Sequence, residues 1–216
     1  MGYSPKTFEI ELYGHTIHFR NQKSFDWTHP YTFNGTEDLT SSGCGIFALC
    51  HCVEWMHGLV LDPDEVADIA VALGARGNDG TNRPRMLGGM ADNGCAAKWG
   101  FRYEKDGLLN DREKLWQHIV SGNTALCNLH PGHIVALVAA RIAEGQRQLL
   151  VIDSCAQSWH EQVRPHIFEI LENSEVTFPY LGKNGIETGM CRAYSVFWID
   201  ADLPKNFNLL YRTEIK

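Results

Sequence analysis

The chain has 216 residues, of which 44% are hydrophobic, and its formal net charge is −7. This composition is typical of a globular protein with a sizeable core, and because no linker-like stretch divides the chain, we expect one domain over residues 1–216. The negative charge disfavours nucleic acid and anionic membrane as the main partners, since both select a basic face.

The first 43 residues predict a hairpin followed by a loop. Apolar and polar residues alternate over 8–19 on both sides of a Tyr13-Gly14 turn, which is typical of two antiparallel strands. Residues 21–43 are rich in Asn, Thr, Ser, Gly and aromatic residues, and they predict a loop.

Helical patterns dominate the next part of the chain. The predicted helices run from about Cys44 to His57, from Asp62 to about Leu73, from about Pro84 to Trp99 and from Asn110 to Gly122. A polar, glycine-rich loop is predicted at 74–85, close to a cleft, and it lacks the Lys-Ser/Thr pair of a phosphate loop. Residues 100–103 predict a short strand.

The second half of the chain changes from a helical period to short apolar runs. These runs predict buried strands at 124–129, 133–140, 148–153, 196–199 and about 209–212. A turn is predicted at 141–146, and a helix interrupted at Pro165 is predicted over 158–172. Because helical patterns come first along the chain and strand patterns come later, the sequence predicts an α+β fold.

The cysteine content favours a reducing compartment. Seven cysteines leave at least one thiol unpaired within the chain, and several of them, such as Cys50, Cys52 and Cys127, lie in apolar stretches where a free thiol behaves as a small hydrophobe. The N-terminus shows no apolar signal region, and no run has the length of a membrane span. We therefore expect a cytoplasmic location and no membrane span, unless a signal segment has been removed.

Cys44 lies where a small, polar run meets the first apolar helix. A thiol at a helix N-terminus faces unpaired N–H groups and the positive end of the helix dipole, which favour the thiolate. Gly43 and Gly45 on either side would allow another chain to approach the sulfur closely. Cys44 is therefore a candidate nucleophile, although a cysteine before an apolar helix more often serves packing.

His133 and Asp153 are the candidate partners of this thiol. His133 opens one predicted strand and Asp153 closes the next, so antiparallel pairing would bring the two side chains together. Their spacing fits two strands of about seven residues and a short turn. A nucleophile, a base and a carboxylate that orients the base are the groups that acyl transfer requires.

The segments around these residues resemble the C39-like group of papain-like cysteine peptidases. They are Cys44-Gly45-Ile46-Phe47-Ala48-Leu49, Gly122-Asn123-Thr124-Ala125-Leu126, Gly132-His133-Ile134-Val135-Ala136-Leu137 and Val151-Ile152-Asp153-Ser154, within about residues 40–155. The resemblance implies a papain-like fold, thiol-dependent hydrolysis of a peptide or protein substrate, and a catalytic triad of Cys44, His133 and Asp153.

Two departures from the family pattern affect the expected activity. The family commonly carries a Gln a few residues before the cysteine as a side-chain donor to the oxyanion, and residues 37–42 contain none. The hydroxyl groups of Ser42 or Thr40 are alternative donors, and Gln22 is another if the chain folds back. The Pro-Thr pair that usually follows Cys-Gly is replaced by Ile46-Phe47.

Three functions stay open from the sequence. The first is a cysteine peptidase or amidase. The second is a transglutaminase-type acyltransferase, which uses the same three groups but passes the acyl group to an amine. The third is a papain-like domain that has lost activity and only binds peptides.

Other cysteine and histidine residues allow further interpretations. A zinc site is disfavoured because its candidate ligands share one predicted helix and face different directions; they are Cys44, Cys50, His51, Cys52 and His57. We expect no metal and no other cofactor. Cys155 is either a redox partner of Cys44 or a packing residue, and Trp159 is a candidate shield for the His133–Asp153 pair.

Overall fold

The computed structural model describes residues 3–35, 37–155, 161–181 and 187–216. Its helices are α1 (Leu39–Ser42), α2 (Cys44–His57), α3 (Pro63–Ala72), α4 (Arg83–Asp92), α5 (Cys95–Lys98) and α6 (Arg112–Val120). Its strands are β1 (Thr7–Leu12), β2 (His15–Arg20), β3 (Arg76–Gly77), β4 (Gly80–Thr81), β5 (Phe101–Arg102), β6 (Thr124–His130), β7 (His133–Ala143), β8 (Gln146–Ile152), β9 (Ile167–Ile170), β10 (Glu175–Leu181), β11 (Glu187–Tyr194), β12 (Val196–Asp200) and β13 (Asn206–Arg212). With 29% helix, 37% strand and an antiparallel sheet, the chain is α+β, as the sequence predicts.

Seven strands form the main sheet in the order β5, β13, β6, β7, β8, β12, β9, and all neighbours are antiparallel. Ala136 and Val138 of β7 belong to a core that includes α2, whereas Val135 and Leu137 belong to a core that includes α6. Both faces of the central strands are therefore covered. This is why these strands appear in the sequence as continuous apolar runs rather than as alternating patterns.

The hairpin of β7 and β8 confirms the predicted pairing, but its turn is shorter than predicted. Residues 141–143 continue β7 and pair with residues 146–148 of β8. The turn consists of Glu144 and Gly145, which have φ values of 51° and 76°. Positive φ at both positions is the geometry of a tight two-residue hairpin turn.

Helix α2 lies at the centre of the helical layer. It contacts both the main sheet and the N-terminal hairpin, and it buries twelve of its fourteen residues. Contacts on several sides explain why its sequence is apolar around most of its circumference rather than amphipathic. Among the described residues, no helix combines the length and the apolar character needed to cross a membrane.

The helix predicted over 158–172 is wrong in its described part. Residues 164–166 form a 3₁₀ turn, and β9 then pairs with β12 at the edge of the main sheet. The apolar residues Ile167 and Ile170 pack against the core on the α6 side, so a tertiary contact overrides the local pattern. Residues 158–160, including Trp159, lie outside the described residues.

Two further predictions, for the loop at 74–85 and for the helix after it, differ from the structure. The helix predicted from Pro84 to Trp99 is divided into α4 and α5, because Gly94 adopts a φ of 87° that a continuing helix does not allow. The loop predicted at 74–85 contains the short hairpin of β3 and β4, and α4 already begins at Arg83.

A buried ion pair joins the N-terminal hairpin to α2. Arg20 Nη1 donates to Glu54 Oε2 at 2.9 Å, and Arg20 Nη2 donates to the Leu61 carbonyl at 3.0 Å. The backbone N–H of His18 donates to the other oxygen of Glu54 at 2.8 Å. Arg20 and Glu54 are each only 1% exposed, and Glu54 Oε1 also lies 2.7 Å from Nδ1 of His18, so it is the guanidinium of Arg20 that depends on Glu54 for compensation.

We predict that Glu54→Ala lowers the free energy of unfolding by about 3–5 kcal/mol, because Arg20 stays buried without a counterion. The double variant Arg20→Met/Glu54→Met should lose much less, since neither charge remains. Urea unfolding of the three proteins measures both effects. Glu9→Ala, which removes an exposed carboxylate from the same hairpin, is the control, and a loss below about 1 kcal/mol for Glu54→Ala would contradict the prediction.

Candidate active site

Cys44 is the first residue of α2, directly after the short helix α1. The N-cap residue, Gly43, has no side chain that could cap the helix. The first N–H groups of α2 are therefore available to the sulfur and to ligands. Cys44 is 8% exposed and lines a cleft of about 570 Å³, so the thiol is mostly buried but reachable.

The glycines beside Cys44 serve internal packing. A Cβ on Gly43 would lie 2.5 Å from the Leu39 carbonyl oxygen and 2.8 Å from the Phe47 ring. A Cβ on Gly45 would lie 2.7 Å from Cβ of Thr81. The protein's own atoms fill both spaces, so these two positions do not provide the close approach of another chain that the sequence suggests.

His133 and Asp153 are in direct contact. His133 Nε2 donates to Asp153 Oδ1 at 2.6 Å, and both side chains are buried. Pairing of Ala136 with Ile152 fixes this geometry, because it places Asp153, the residue after β8, beside the start of β7. The same carboxylate oxygen also accepts the N–H of Cys155 at 2.9 Å. The structure thus brings together the pair that the strand spacing predicts, and the catalytic roles stay a prediction.

His133 also acts on the thiol of Cys44. Burial would raise the pKa of the Cys44 thiol, but a hydrogen bond and electrostatic attraction from His133 outweigh burial and hold that pKa below its ordinary value. Backbone contacts from Ile134 and Gly45 act in the same direction. Because Nε2 of His133 is bound to Asp153, Nδ1 is the ring nitrogen that remains for the sulfur.

The imidazole of His133 is strongly basic at this position. Burial disfavours its charged form, but the charge of Asp153, the hydrogen bond to Asp153 and the contact with Cys44 raise its pKa well above the ordinary value. A lowered thiol pKa and a raised imidazole pKa favour a thiolate–imidazolium pair around neutral pH. Such a pair is the reactive form of a nucleophilic cysteine.

Gln22 lies two residues after the end of β2. It contacts both the segment that follows Asp153 and the segment that precedes Cys44. Its Oε1 accepts the hydroxyl of Ser154 at 3.2 Å, and its Nε2 donates to the Thr40 carbonyl at 3.1 Å. Ser154 is the residue after Asp153, and Thr40 lies one turn before Cys44. The fold therefore brings a distant Gln to the site, which the sequence offered only as an alternative.

Thr40 and Ser42 carry the other two side-chain hydroxyl groups that are candidate donors to the oxyanion. Their surroundings differ. The hydroxyl of Thr40 faces the Ser24 and Trp27 carbonyls at 2.9 and 3.2 Å, so its single proton is already bound. Ser42 Oγ accepts from Arg76 Nη2 at 3.0 Å, which leaves its own proton free to donate. Ser42 also lines the cleft.

The wall of the cleft is built by residues that sequence analysis did not assign to a site. Buried Arg76 ties the β3–β4 hairpin in place, since it donates to Ser42 Oγ and, at 3.1 Å, to the Tyr31 carbonyl. The tip of this hairpin, with Asp79, and the first turn of α4, with Arg83, line the cleft. Both arginines stand in a polar, glycine-rich stretch that resembles a solvated loop, so the local pattern carries no signal of their burial.

The remaining cysteine and histidine candidates are not gathered around a common centre. No group of three His, Cys, Asp or Glu side chains within the described ranges could hold a metal ion. His57 Nε2 donates to the Gly100 carbonyl at 2.8 Å, and His51 Nε2 accepts the Arg20 N–H at 3.2 Å. All seven cysteines are free thiols, so Cys155 forms no disulfide with Cys44.

Comparisons with known proteins leave the site to be interpreted from its own geometry. A scan against protein-family models, a search of curated proteins and a search of solved structures found no match.

We predict that Cys44 is the most reactive thiol of the protein. Burial raises the pKa of Cys50 to about 11 and the pKa values of Cys52 and Cys127 to about 12, whereas His133 lowers that of Cys44. Limited iodoacetamide labelling at about pH 6 with mass mapping should therefore modify Cys44 first. The partly exposed cysteines at 95 and 191 are internal references, and equal labelling at either of them would contradict the prediction.

We predict that Asp153→Ala raises the apparent pKa of Cys44, because the imidazolium of His133 loses its buried counterion and no longer stabilises the thiolate. Asp153→Asn should have a smaller effect, since an amide oxygen still accepts the hydrogen bond. The rate of Cys44 alkylation against pH measures the shift. Asp79→Ala, which removes an exposed carboxylate at the cleft, is the control, and superimposable curves for Asp153→Ala and the parent would refute the orienting role.

Proposed function

We propose that the protein is a cysteine peptidase or amidase with a papain-like fold, which hydrolyses a peptide or amide bond through Cys44, His133 and Asp153. The observation that carries the proposal is the buried hydrogen bond between His133 and Asp153, beside a Cys44 thiol that lines a cleft and whose pKa His133 lowers. The nucleophile at a helix start and the base on an antiparallel sheet also agree with the family that the sequence resembles.

Cys44, His133 and Asp153 each act in both halves of the proposed reaction, first in acylation and then in deacylation. The Cys44 thiolate attacks the carbonyl carbon, and the Nδ1 proton of His133 passes to the leaving amine as the C–N bond breaks. Water then attacks the thioester, with His133 accepting its proton, and the carboxylic acid leaves as the Cys44 thiolate re-forms. Asp153 stays ionised throughout and holds the imidazole ring in the orientation that both proton transfers require.

The negative oxygen of the intermediate needs hydrogen-bond donors. The N–H at the start of α2 supplies one, because a helix N-terminus favours negative charge. For the second donor we propose the Nε2 group of Gln22. Ser154 holds the other end of this amide, so the NH₂ group is directed towards the segment that leads into Cys44. One of its two N–H bonds is occupied by the Thr40 carbonyl, and the other remains for the oxyanion.

Peptide hydrolysis tests this function directly. The protein is incubated with a mixed pool of peptides, and new termini are identified by mass spectrometry, with Cys44→Ala as the inactive control. Cleavage that depends on Cys44 supports the proposal, whereas acyl transfer to an added primary amine without hydrolysis indicates the acyltransferase. If no product forms although iodoacetamide alkylates Cys44 as predicted, the result indicates a domain that only binds peptides.

We predict that Gln22→Ala slows Cys44-dependent cleavage by about 10²–10³, the usual effect of losing one oxyanion donor. The pH dependence of Cys44 alkylation should stay as in the parent, because Gln22 does not take part in the thiolate–imidazolium pair. Ser42→Ala is the matched variant, since it removes the other available side-chain donor. A larger loss of cleavage in Ser42→Ala than in Gln22→Ala would assign the oxyanion to Ser42 instead.

A further inference from the structure

Arg83 is a buried cation in the cleft wall that the proposed reaction does not use. It is the first residue of α4, is only 4% exposed, and lines the same cleft as Cys44. Its Nη1 donates to the carbonyl oxygens of Leu126 and Asn206, both at 3.0 Å. These bonds fix the side chain between β6 and the start of β13 but bring it no carboxylate.

The guanidinium of Arg83 has no carboxylate partner in the described part of the chain. No Asp or Glu there lies within ion-pair distance of it, in contrast to Arg20, which is paired with Glu54. Burial lowers the pKa of Arg83, and the groups that act on it electrostatically are Cys127, Cys44 and Tyr103, none of which is a carboxylate. An arginine nevertheless keeps its charge in a protein, so this cation is held in the wall without a carboxylate partner.

Part of this guanidinium remains available to a ligand. Both hydrogen bonds to the protein come from Nη1, so the N–H groups of Nε and Nη2 have no protein partner among the described residues. Neither of these two nitrogens is fully buried, so both retain accessible surface. A planar pair of such donors matches the two oxygens of a carboxylate.

The rest of the cleft reinforces the positive charge. The N-terminal ends of both α2 and α4 line it, and each end carries the positive pole of its helix dipole. The lining contains one carboxylate in the described structure, that of Asp79, which is exposed at the hairpin tip and forms no ion pair with Arg83.

We propose that Arg83 forms an anion subsite and that the substrate carries a carboxylate close to the bond attacked by Cys44. This inference rests on the proposed function, because it assigns the substrate class of the same site. An acidic side chain and the carboxylate at the end of a peptide share this chemistry. The carboxylate would complete the missing ion pair and place the scissile carbonyl at the sulfur, so Arg83 is a specificity-determining residue rather than a proton-transfer group.

Two alkylating agents that differ only in charge test the subsite. Iodoacetate carries a carboxylate where iodoacetamide carries an amide, and the ratio of their rates at Cys44 cancels the fraction of thiolate. We expect Arg83→Gln to lower the iodoacetate-to-iodoacetamide ratio by about 5- to 30-fold, as the removal of one nearby charge in a partly buried site predicts. The control is Arg85→Gln, which removes an exposed charge from the same turn of α4 and should change the ratio by less than about twofold.

A second measurement on the unaltered protein keeps the proposal testable if Arg83→Gln does not fold. N-acetylglycine, N-acetylaspartic acid α-amide and the neutral N-acetylasparagine amide are compared, at equal ionic strength, as protectants of Cys44 against iodoacetamide. Protection by the first indicates a terminal carboxylate, and protection by the second indicates an acidic side chain. Equal effects of all three compounds would overturn the subsite.

The outcomes separate this inference from the function on which it rests. A Cys44 that reacts with neither reagent faster than a free thiol overturns both. A reactive Cys44 whose ratio is the same in the parent and in a folded Arg83→Gln overturns the anion subsite alone. A reduced ratio in Arg83→Gln, with the parent ratio retained in Arg85→Gln, supports it.

Discussion

The antiparallel pairing of β7 with β8 is the constraint on which the candidate site depends. It fixes the start of one strand beside the end of the other, and this places His133 within 2.6 Å of Asp153 in a buried setting. A carboxylate without exposed surface needs a partner that offsets its lost hydration, and an imidazolium supplies one. The sheet register thus fixes His133 beside the buried carboxylate that raises its pKa.

The cysteines of α2 show how strongly one neighbour changes the chemistry of a buried thiol. Cys44, Cys50 and Cys52 lie on the same helix and are all buried. Burial raises the pKa of the latter two to about 11 and 12, because no sufficient positive charge opposes it. At Cys44 the contact with His133 reverses the direction. Helix position alone therefore does not activate a thiol, and the opposing sheet supplies the decisive charge.

Three buried arginines illustrate different solutions to the cost of a buried charge. Arg20 has a carboxylate partner, and its ion pair holds the N-terminal hairpin on α2, two residues before Gln22. Arg76 lies 4.0 Å from the Glu37 carboxylate, donates to carbonyl and hydroxyl oxygens, and holds the β3–β4 hairpin against the segment before Cys44. Arg83 is bound only to two carbonyls. The first two are explained by architecture, whereas the third lacks a carboxylate partner in the wall of the cleft that Cys44 lines.

The elements that depend on local pattern could be predicted from the residues alone. An apolar helix beginning at Cys44, a strand opened by His133 and a strand closed by Asp153 follow from hydrophobic period, turn residues and spacing, all of which act over a few residues. The distant groups that surround the candidate site became apparent only in the folded chain. Gln22 and Arg83 enter it through contacts between segments far apart in the chain, and β9 is a strand because β12 offers it an edge. Such long-range contacts leave no periodic signal in the residues that make them, and that is the physical reason why the local sequence could not reveal them.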